Sequence, residues 1–353
     1  MISARSNGHG PPRRTLVAGA GGFIGGHLVR ALLERGEAVR AVDIKPTERW
    51  MQLHPEAENI VADLSRREAC EEAVQGVDRV FNLAADMGGI GFISTHKADC
   101  MLSVLINTHL LLAARDAGVE RYFYASSACV YPVERQASAD VVPLREDQVY
   151  PAMPEDGYGW EKLFGERMCR HFREDYGLET RVGRYHNVYG PFGDYDGGRE
   201  KAPAAICRKV ATAVLTETNT IEIWGDGRQT RSFMYIDDCI EGTLRLMDSD
   251  YPDPVNIGSS ELVTIDELVD IVESIADARL ERIYDTSAPQ GVRGRNSDNE
   301  LVREVLGWEP RISLTEGLER TYRWIEVQVA RTLSVEPSAN GATNGAVVNA
   351  ARA

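Results

Sequence analysis

Apolar and polar positions along this chain follow two rhythms that take turns. Short apolar runs occur at residues 15–18, 38–42, 59–62, 79–83, 122–126 and 180–183. Each is too short for a helix and lacks a polar face, which predicts strands covered on both sides. Helical spacing fills the gaps. After Gly22, the apolar positions Phe23, Ile24, Leu28, Ala31 and Leu32 mark one face of a helix over 22–35, closed by Gly36. Further helices are predicted over 95–117 and 157–176. Strands alternating with helices predict a Rossmann-type, doubly wound parallel sheet.

Past residue 184 the rhythm loosens. Pro191, Gly193, Gly197, Gly198 and Pro203 mark a long loop, a helix is predicted near 204–215, and smaller α/β pieces continue to about residue 331. No internal repeat is visible. The expected architecture is α/β, in four parts. An unstructured start covers 1–14 and a nucleotide-binding domain covers 15–184. A smaller C-terminal α/β substrate lobe covers 185–331, with strands and helices free to return to the first sheet. An unstructured tail covers 332–353.

Composition narrows the function. The net charge is -15, from 39 Lys plus Arg against 54 Asp plus Glu. A nucleic-acid partner is not expected, because phosphate backbones need a basic field. A few local Arg and Lys residues still suffice for a small anion. No uncharged stretch approaches the ~18 residues that span a bilayer, so no membrane is expected. The six cysteines are scattered without a C-x-x-C pair. That pattern points away from a disulfide framework and a metal site, and toward reduced thiols in a cytoplasm.

The chemistry begins at Gly19-Ala20-Gly21-Gly22-Phe23-Ile24-Gly25. Gly19 permits a tight turn, Gly22 lets the backbone approach a pyrophosphate, and Gly25 lets the helix pack on the strand. The opening of the helix, at Phe23 and Ile24, presents free N–H groups to phosphates. Asp43 ends the next predicted strand, placed to accept from adenosine ribose hydroxyls, which favours NAD over NADP. Lys45, close by, is a residue that tolerates a 2′-phosphate. Asp63 and Leu64 follow the third strand, where they flank an adenine.

A second constellation lies downstream. Tyr158 and Lys162, four apart, share one helix face. A free phenol titrates near ~10, and a neighbouring ammonium and a positive nicotinamide both favour its phenolate. Lys162 also reaches a nicotinamide ribose. Ser127, at the end of the fifth predicted strand, hydrogen-bonds the reacting hydroxyl. Cys129 lies two residues on. By itself a free cysteine is most often a small buried hydrophobe.

These features resemble the extended short-chain dehydrogenase/reductase family that acts on nucleotide sugars, over nearly all of residues 15–331. The resemblance rests on the glycine loop, Asp63-Leu64, Asn82-Leu83-Ala84-Ala85, Ser127, the Tyr158 and Lys162 pair, and Trp224-Gly225-Asp226-Gly227. It adds Ala84 to the cofactor site. One position departs: Ser103 stands where many members carry Asn.

Longer strings narrow the resemblance to the GDP-mannose 3,5-epimerase branch. They are residues 84–92, 125–132, 198–205 and 291–299. The branch implies that NAD oxidises C4 of a GDP-sugar with Tyr158 as base, and that Cys129 and Lys201 exchange the protons at C3 and C5. A thiol titrating near ~8.5 and a lysine lowered by burial both suit that task. Related 4,6-dehydratases usually carry a glutamate at the position of Cys129. Inversion at both carbons gives GDP-L-galactose, and inversion at C5 alone gives GDP-L-gulose. Carry-over further names Gly88 and Asn187 beside the sugar, and Lys209, Gln229, Arg231, Arg293 and Arg295 for the diphosphate and base. His186 is expected to be a packing residue. A homodimer through the helices at 95–117 and 157–176 completes the expectation.

Overall fold

The computed structural model describes residues 13–335. The outer parts of the two expected unstructured ends lie outside the described residues. Their inner parts are structured. The first strand begins at Arg14, whose N–H donates to Asp78 Oδ2 at 2.7 Å. The last helix runs to Val335, past residue 331.

In the first half, strands β1 (Arg14–Ala18), β2 (Ala38–Asp43), β3 (Glu58–Val61), β4 (Arg79–Asn82), β5 (Arg121–Ser127) and β6 (Glu179–Tyr185) alternate with helices. The helices are α1 (Phe23–Glu34), α2 (Arg67–Ala73), α3 (Ile90–Thr95), α4 (Lys97–Leu102), α5 (Val104–Ala117) and α6 (Tyr158–Tyr176). The second half contributes strands β7 (Val188–Tyr189), β8 (Thr220–Trp224), β9 (Thr230–Ser232), β10 (Met234–Tyr235), β11 (Val255–Ile257), β12 (Leu262–Thr264), β13 (Glu281–Asp285) and β14 (Gly294–Arg295). Its helices are α7 (Ala202–Leu215), α8 (Ile236–Asp248), α9 (Ile265–Ile275), α10 (Glu300–Leu306) and α11 (Leu314–Val335).

The main sheet has seven strands in the order β11-β6-β5-β4-β1-β2-β3. Every pairing in it is parallel. Side chains alternate between two cores. Leu16, Ala18, Val80, Tyr122 and Tyr124 face the layer that holds Leu110, Leu111, Ala114 and Phe172. Val17, Phe81, Phe123 and Tyr185 face the layer that holds Leu28, Leu32, Leu244 and Trp308. Both faces are covered, which is why the strands read as unbroken apolar runs.

The order reverses between β1 and β4, and a crevice opens there at the carboxyl ends of the strands. The two halves of the chain are not separate bodies. Strand β11 pairs with β6, and α8 packs on α1.

The helix expected over 95–117 is interrupted twice. His96 leaves helical geometry at φ -121° and ψ 44°, its ring stacked on Phe92 with centroids 4.3 Å apart. At Ser103 the ladder tightens, because Ser103 N–H bonds back to Cys100 O at 3.2 Å while its Oγ accepts Asp86 N–H at 3.0 Å. A side chain engaged with a neighbouring loop competes with the helix for the backbone. By length and composition alone, residues 97–117 would pass for a membrane span. In the fold, Leu110, Leu111, Ala113 and Ala114 of that stretch are core residues.

Candidate active site

The glycine turn is built for close approach. Gly19 has φ +83°, and a Cβ there would lie 2.8 Å from Ala84 N. A Cβ on Gly25 would collide with the Gly19 carbonyl. No side chain caps α1 at Gly22, so the first N–H groups of the helix, including those of Phe23 and Ile24, stay open toward the crevice. Asp43 is buried at the end of β2. Its Oδ2 accepts Gly21 N–H at 3.0 Å and its Oδ1 accepts Lys45 N–H at 2.9 Å. The same carboxylate therefore braces the turn and keeps lone pairs for a ribose. The Lys45 ammonium leans on the Gly21 carbonyl at 3.4 Å.

A bare-backbone turn, an open helix end and a buried acid are what a dinucleotide needs, so these residues fit NAD. The flanking residues divide. Asp63 turns inward on Ser65, accepting its Oγ at 2.6 Å and its N–H at 3.0 Å. These bonds hold the carboxyl below its ordinary range. Leu64 is a core side chain, so it offers the crevice backbone only.

The redox residues converge from two elements. Strand β5 ends at Ser127, whose Oγ accepts Cys129 N–H at 3.2 Å and turns the chain. Helix α6 begins at Tyr158, beside Cys129 in one small cluster with Phe92 and Cys100. Burial, then the charges of Cys129 and Glu161, push the Tyr158 phenol well up, with Ser127 opposing. Lys162 Nζ lies 5.5 Å from the Tyr158 ring and 4.9 Å from the Tyr124 ring. Its ion partner is Glu161, at 3.4 Å, in a pair 3% and 1% exposed. Glu161 was not singled out from the sequence. It accepts Tyr124 O–H at 2.9 Å, and Gly165, one turn on, makes room for that phenol.

A buried network holds this turn. Glu166 accepts Ser126 O–H at 2.6 Å and takes both arms of Arg184, at 2.9 and 2.8 Å. Arg184 also donates to Tyr131 at 3.2 Å, and Tyr131 donates to Asn256 at 2.7 Å. His186 joins through Asn256 at 3.1 Å, its pKa lowered to about 3 by burial. That makes it a packing residue, as expected.

The substrate side gathers cations. Parallel pairing of β14 with β9 sets Arg295 directly beside Arg231. Arg295 donates to Gln136 at 2.6 Å and approaches Cys129 Sγ at 3.5 Å. Of the residues carried over for the diphosphate and base, it is the one that meets the thiol. Gln136, which orients it, carried no sequence signal. Arg231 donates to the carbonyls of Thr230, Gln290 and Val292 at 2.7, 3.2 and 2.5 Å. Burial, then the charge of Arg295, lowers its pKa to about 9. A guanidinium satisfied by carbonyls alone still lacks a counter-charge. Lys201 stands at the N-cap position of α7 without a side-chain cap bond, and burial lowers its pKa, opposed first by the charge of Cys129.

The remaining candidates are partly engaged elsewhere. Arg293 is bidentate to Asp226 at 2.7 and 2.9 Å. Lys209 donates to the Glu222 carbonyl at 2.8 Å. Gln229 donates to Trp224 O at 2.8 Å and leaves its own Oε1 buried without a partner. Asn187 sits at φ +42° and donates to Ser232 O at 2.9 Å. Gly88 lies where a Cβ would press on Phe92 at 2.8 Å.

The sequence pattern of the NAD dependent epimerase/dehydratase family matches residues 15–258. The chain belongs to that family. Within the epimerase/dehydratase family, the chain is 49% identical over 316 residues to the GDP-mannose 3,5-epimerase of Arabidopsis thaliana, covering 89% of this chain and 82% of that protein. It is likewise 49% identical over 319 residues to GDP-mannose 3,5-epimerase 1 of Oryza sativa subsp. japonica, covering 90% and 83%. Among solved structures, the UDP-glucose 4-epimerase of Thermotoga maritima with UDP-glucose superposes with a TM-score of 0.81 at 27% identity, over 90% of this chain and 99% of that one. The UDP-glucuronic acid 4-epimerase of Bacillus cereus, solved with UDP-glucuronic acid and NAD, gives 0.77 at 27% identity, over 89% and 99%.

Proposed function

We propose that this protein is an NAD-dependent isomerase that inverts C3 and C5 of GDP-mannose to give GDP-L-galactose. The observation that carries this reading is a buried thiol, Cys129, at the turn after β5, with Ser127 and Tyr158 beside it and the Arg295 guanidinium 3.5 Å from its sulfur. The relatives at 49% identity bear the name of that activity.

NAD, held by the Gly19–Gly25 turn and Asp43, would supply a reversible hydride acceptor for C4 of the sugar. Tyr158 holds the C4 hydroxyl proton, with Ser127 and Lys162 around it. A 4-keto group acidifies the protons at C3 and C5. Inverting a carbon requires removal of the proton on one face and delivery on the other. Cys129 and Lys201 are the pair for that exchange. Arg231, without a carboxylate of its own, takes the diphosphate, for which the planar guanidinium fork is suited.

The deciding experiment incubates the protein with GDP-mannose and catalytic NAD in deuterated water and follows the sugar by NMR. Deuterium at both C3 and C5 with formation of GDP-L-galactose is expected. Exchange confined to C5 with GDP-L-gulose would reduce the activity to a single inversion. A 4-keto-6-deoxy product, or inversion at C4, would replace this reading with a 4,6-dehydratase or a 4-epimerase. We also propose a homodimer and a reducing, cytoplasmic setting. Exposed Met101, Leu102, Leu105, Trp160 and Phe164 on α4 to α6 support the first, measurable by light scattering. Six buried, unpaired cysteines support the second.

A further inference from the structure

Lys201 stands at the end of the loop that leads into α7. It follows Gly197 and Gly198, at φ +90° and +87°, which leave the backbone there unusually free. Yet a proton-transfer group must be placed to within a fraction of an ångström to act. Arg208 holds the earlier part of the loop at Tyr195 and Asp196, and two side chains fasten the part next to Lys201. Glu200 ties it inward, accepting Gly198 N–H at 2.7 Å and meeting Arg208 of α7 at 3.4 Å. Arg199 ties it outward, to residues 86–92 at the carboxyl edge of β4.

The outward tie has several parts. Arg199 Nη1 donates to Asp86 Oδ1 at 2.8 Å and to Met87 O at 3.0 Å. Its guanidinium lies 3.8 Å from the centroid of the Phe92 ring. Its backbone carbonyl accepts Gly89 N–H at 2.9 Å. The two backbones are so close that a Cβ on Gly89 would collide with the Glu200 carbonyl. Phe92 belongs to the cluster that holds Cys129 and Tyr158. The tie therefore references the Lys201 loop to the same side chains that surround the thiol and the phenol.

We propose that Arg199 is a positioning residue: it latches the loop carrying Lys201 onto residues 86–92 and so sets Lys201 relative to Cys129. The latch rests on the epimerase reading for the role of Lys201, but its geometry does not. Its ion pair is 42% and 43% exposed. An exposed pair contributes little by itself, so the latch also draws on the Phe92 contact and the bonds to Met87 and Gly89. Glycine at 88 and 89 acquires a reason from the same contact, since the loop must pass both Phe92 and the Glu200 carbonyl.

The test uses the full chain with Arg199→Ala, Arg199→Lys, Asp86→Asn and the Arg199→Ala/Asp86→Asn double variant. Hydrogen exchange by mass spectrometry, on protein without sugar, reads the Gly89 amide. Steady-state kinetics in the presence of NAD reads inversion. Arg199→Ala and Asp86→Asn are each expected to speed exchange in peptides spanning 86–92 by about tenfold or more. Each is also expected to lower kcat by about tenfold with KM within about threefold. Arg199→Lys keeps the charge and the ring contact and should stay within about threefold of wild type. The double variant should be no worse than the poorer single, the mark of two residues acting through one contact. An Arg199 that instead binds substrate directly would raise KM and leave Asp86→Asn silent, and that result overturns the latch. Unchanged exchange at residues 86–92 in Arg199→Ala also overturns it. If wild type exchanges as described but does not invert the sugar, the latch stands and the epimerase reading falls.

Discussion

The two sides of this crevice are held by opposite means. The redox side sits on long parallel strands and is fixed by buried charge: Glu166 and Arg184, 5% and 4% exposed, lock the turn that carries Ser127 and Cys129. The substrate side sits on strands of two and three residues and on a loop fastened by an exposed pair, Arg199 and Asp86. A buried pair is costly to break and slow to yield, whereas an exposed one opens readily. The difference teaches a division of labour. Hydride transfer needs a fixed geometry between a cofactor and a phenol. A nucleotide sugar must enter, expose two carbons to two proton-transfer groups, and leave.

That contrast can be broken at several points. The largest effect is expected from Cys129→Ala, which removes the proposed proton-transfer thiol without touching the glycine turn. Solvent deuterium incorporation at the sugar should fall by roughly 10²–10⁴, the usual worth of a general acid or base, while NAD affinity by titration stays within about twofold. Undiminished exchange would remove Cys129 from the chemistry. Tyr158→Phe should abolish oxidation at C4 to a similar degree, and with it exchange at both carbons, because no 4-keto group forms to acidify them.

Next comes the buried anchor. Arg184→Met leaves the Glu166 carboxylate alone in the core and should destabilise the fold by about 3–5 kcal/mol in urea unfolding, the cost of orphaning one member of a buried pair. A loss below about 1 kcal/mol would mean that the two sides are not held differently. The smaller effects separate two arginines that look alike in sequence. Arg231→Ala should raise KM for the nucleotide sugar about tenfold or more, because its guanidinium has carbonyl partners only. Arg293→Ala should change KM by less than about threefold, because Asp226 already neutralises that guanidinium. Equal effects at the two positions would erase the distinction.

Legibility in the sequence followed the same division. The glycine turn, Asp43, and the Tyr158 and Lys162 pair could be read because each is local: a strand, a turn and a helix within a few dozen residues, or a single helix face. Lys201 and Arg295 were reached only by resemblance. Nothing in their spacing shows that one stands at the start of α7 and the other meets the thiol. Gln136 and Glu161 were passed over because an isolated amide or acid carries no signal until its partner is known. The turn at Ser103 has no sequence signal, since the apolar pattern runs on through it.

By itself, then, the sequence determined the parallel sheet, the glycine turn and the shared helix face of Tyr158 and Lys162, because periodicity and short-range spacing encode them directly. Only the tertiary structure decided which cations gather near Cys129 and which are neutralised elsewhere. Arg231 and Arg295 are 64 residues apart in number and adjacent in register, joined by β9 and β14. Arg293, two residues from Arg295, is spent on Asp226. A charged side chain acts according to what neutralises it, and in this chain the neutralising partners come from distant segments that only the folded sheet edge and its loops bring together.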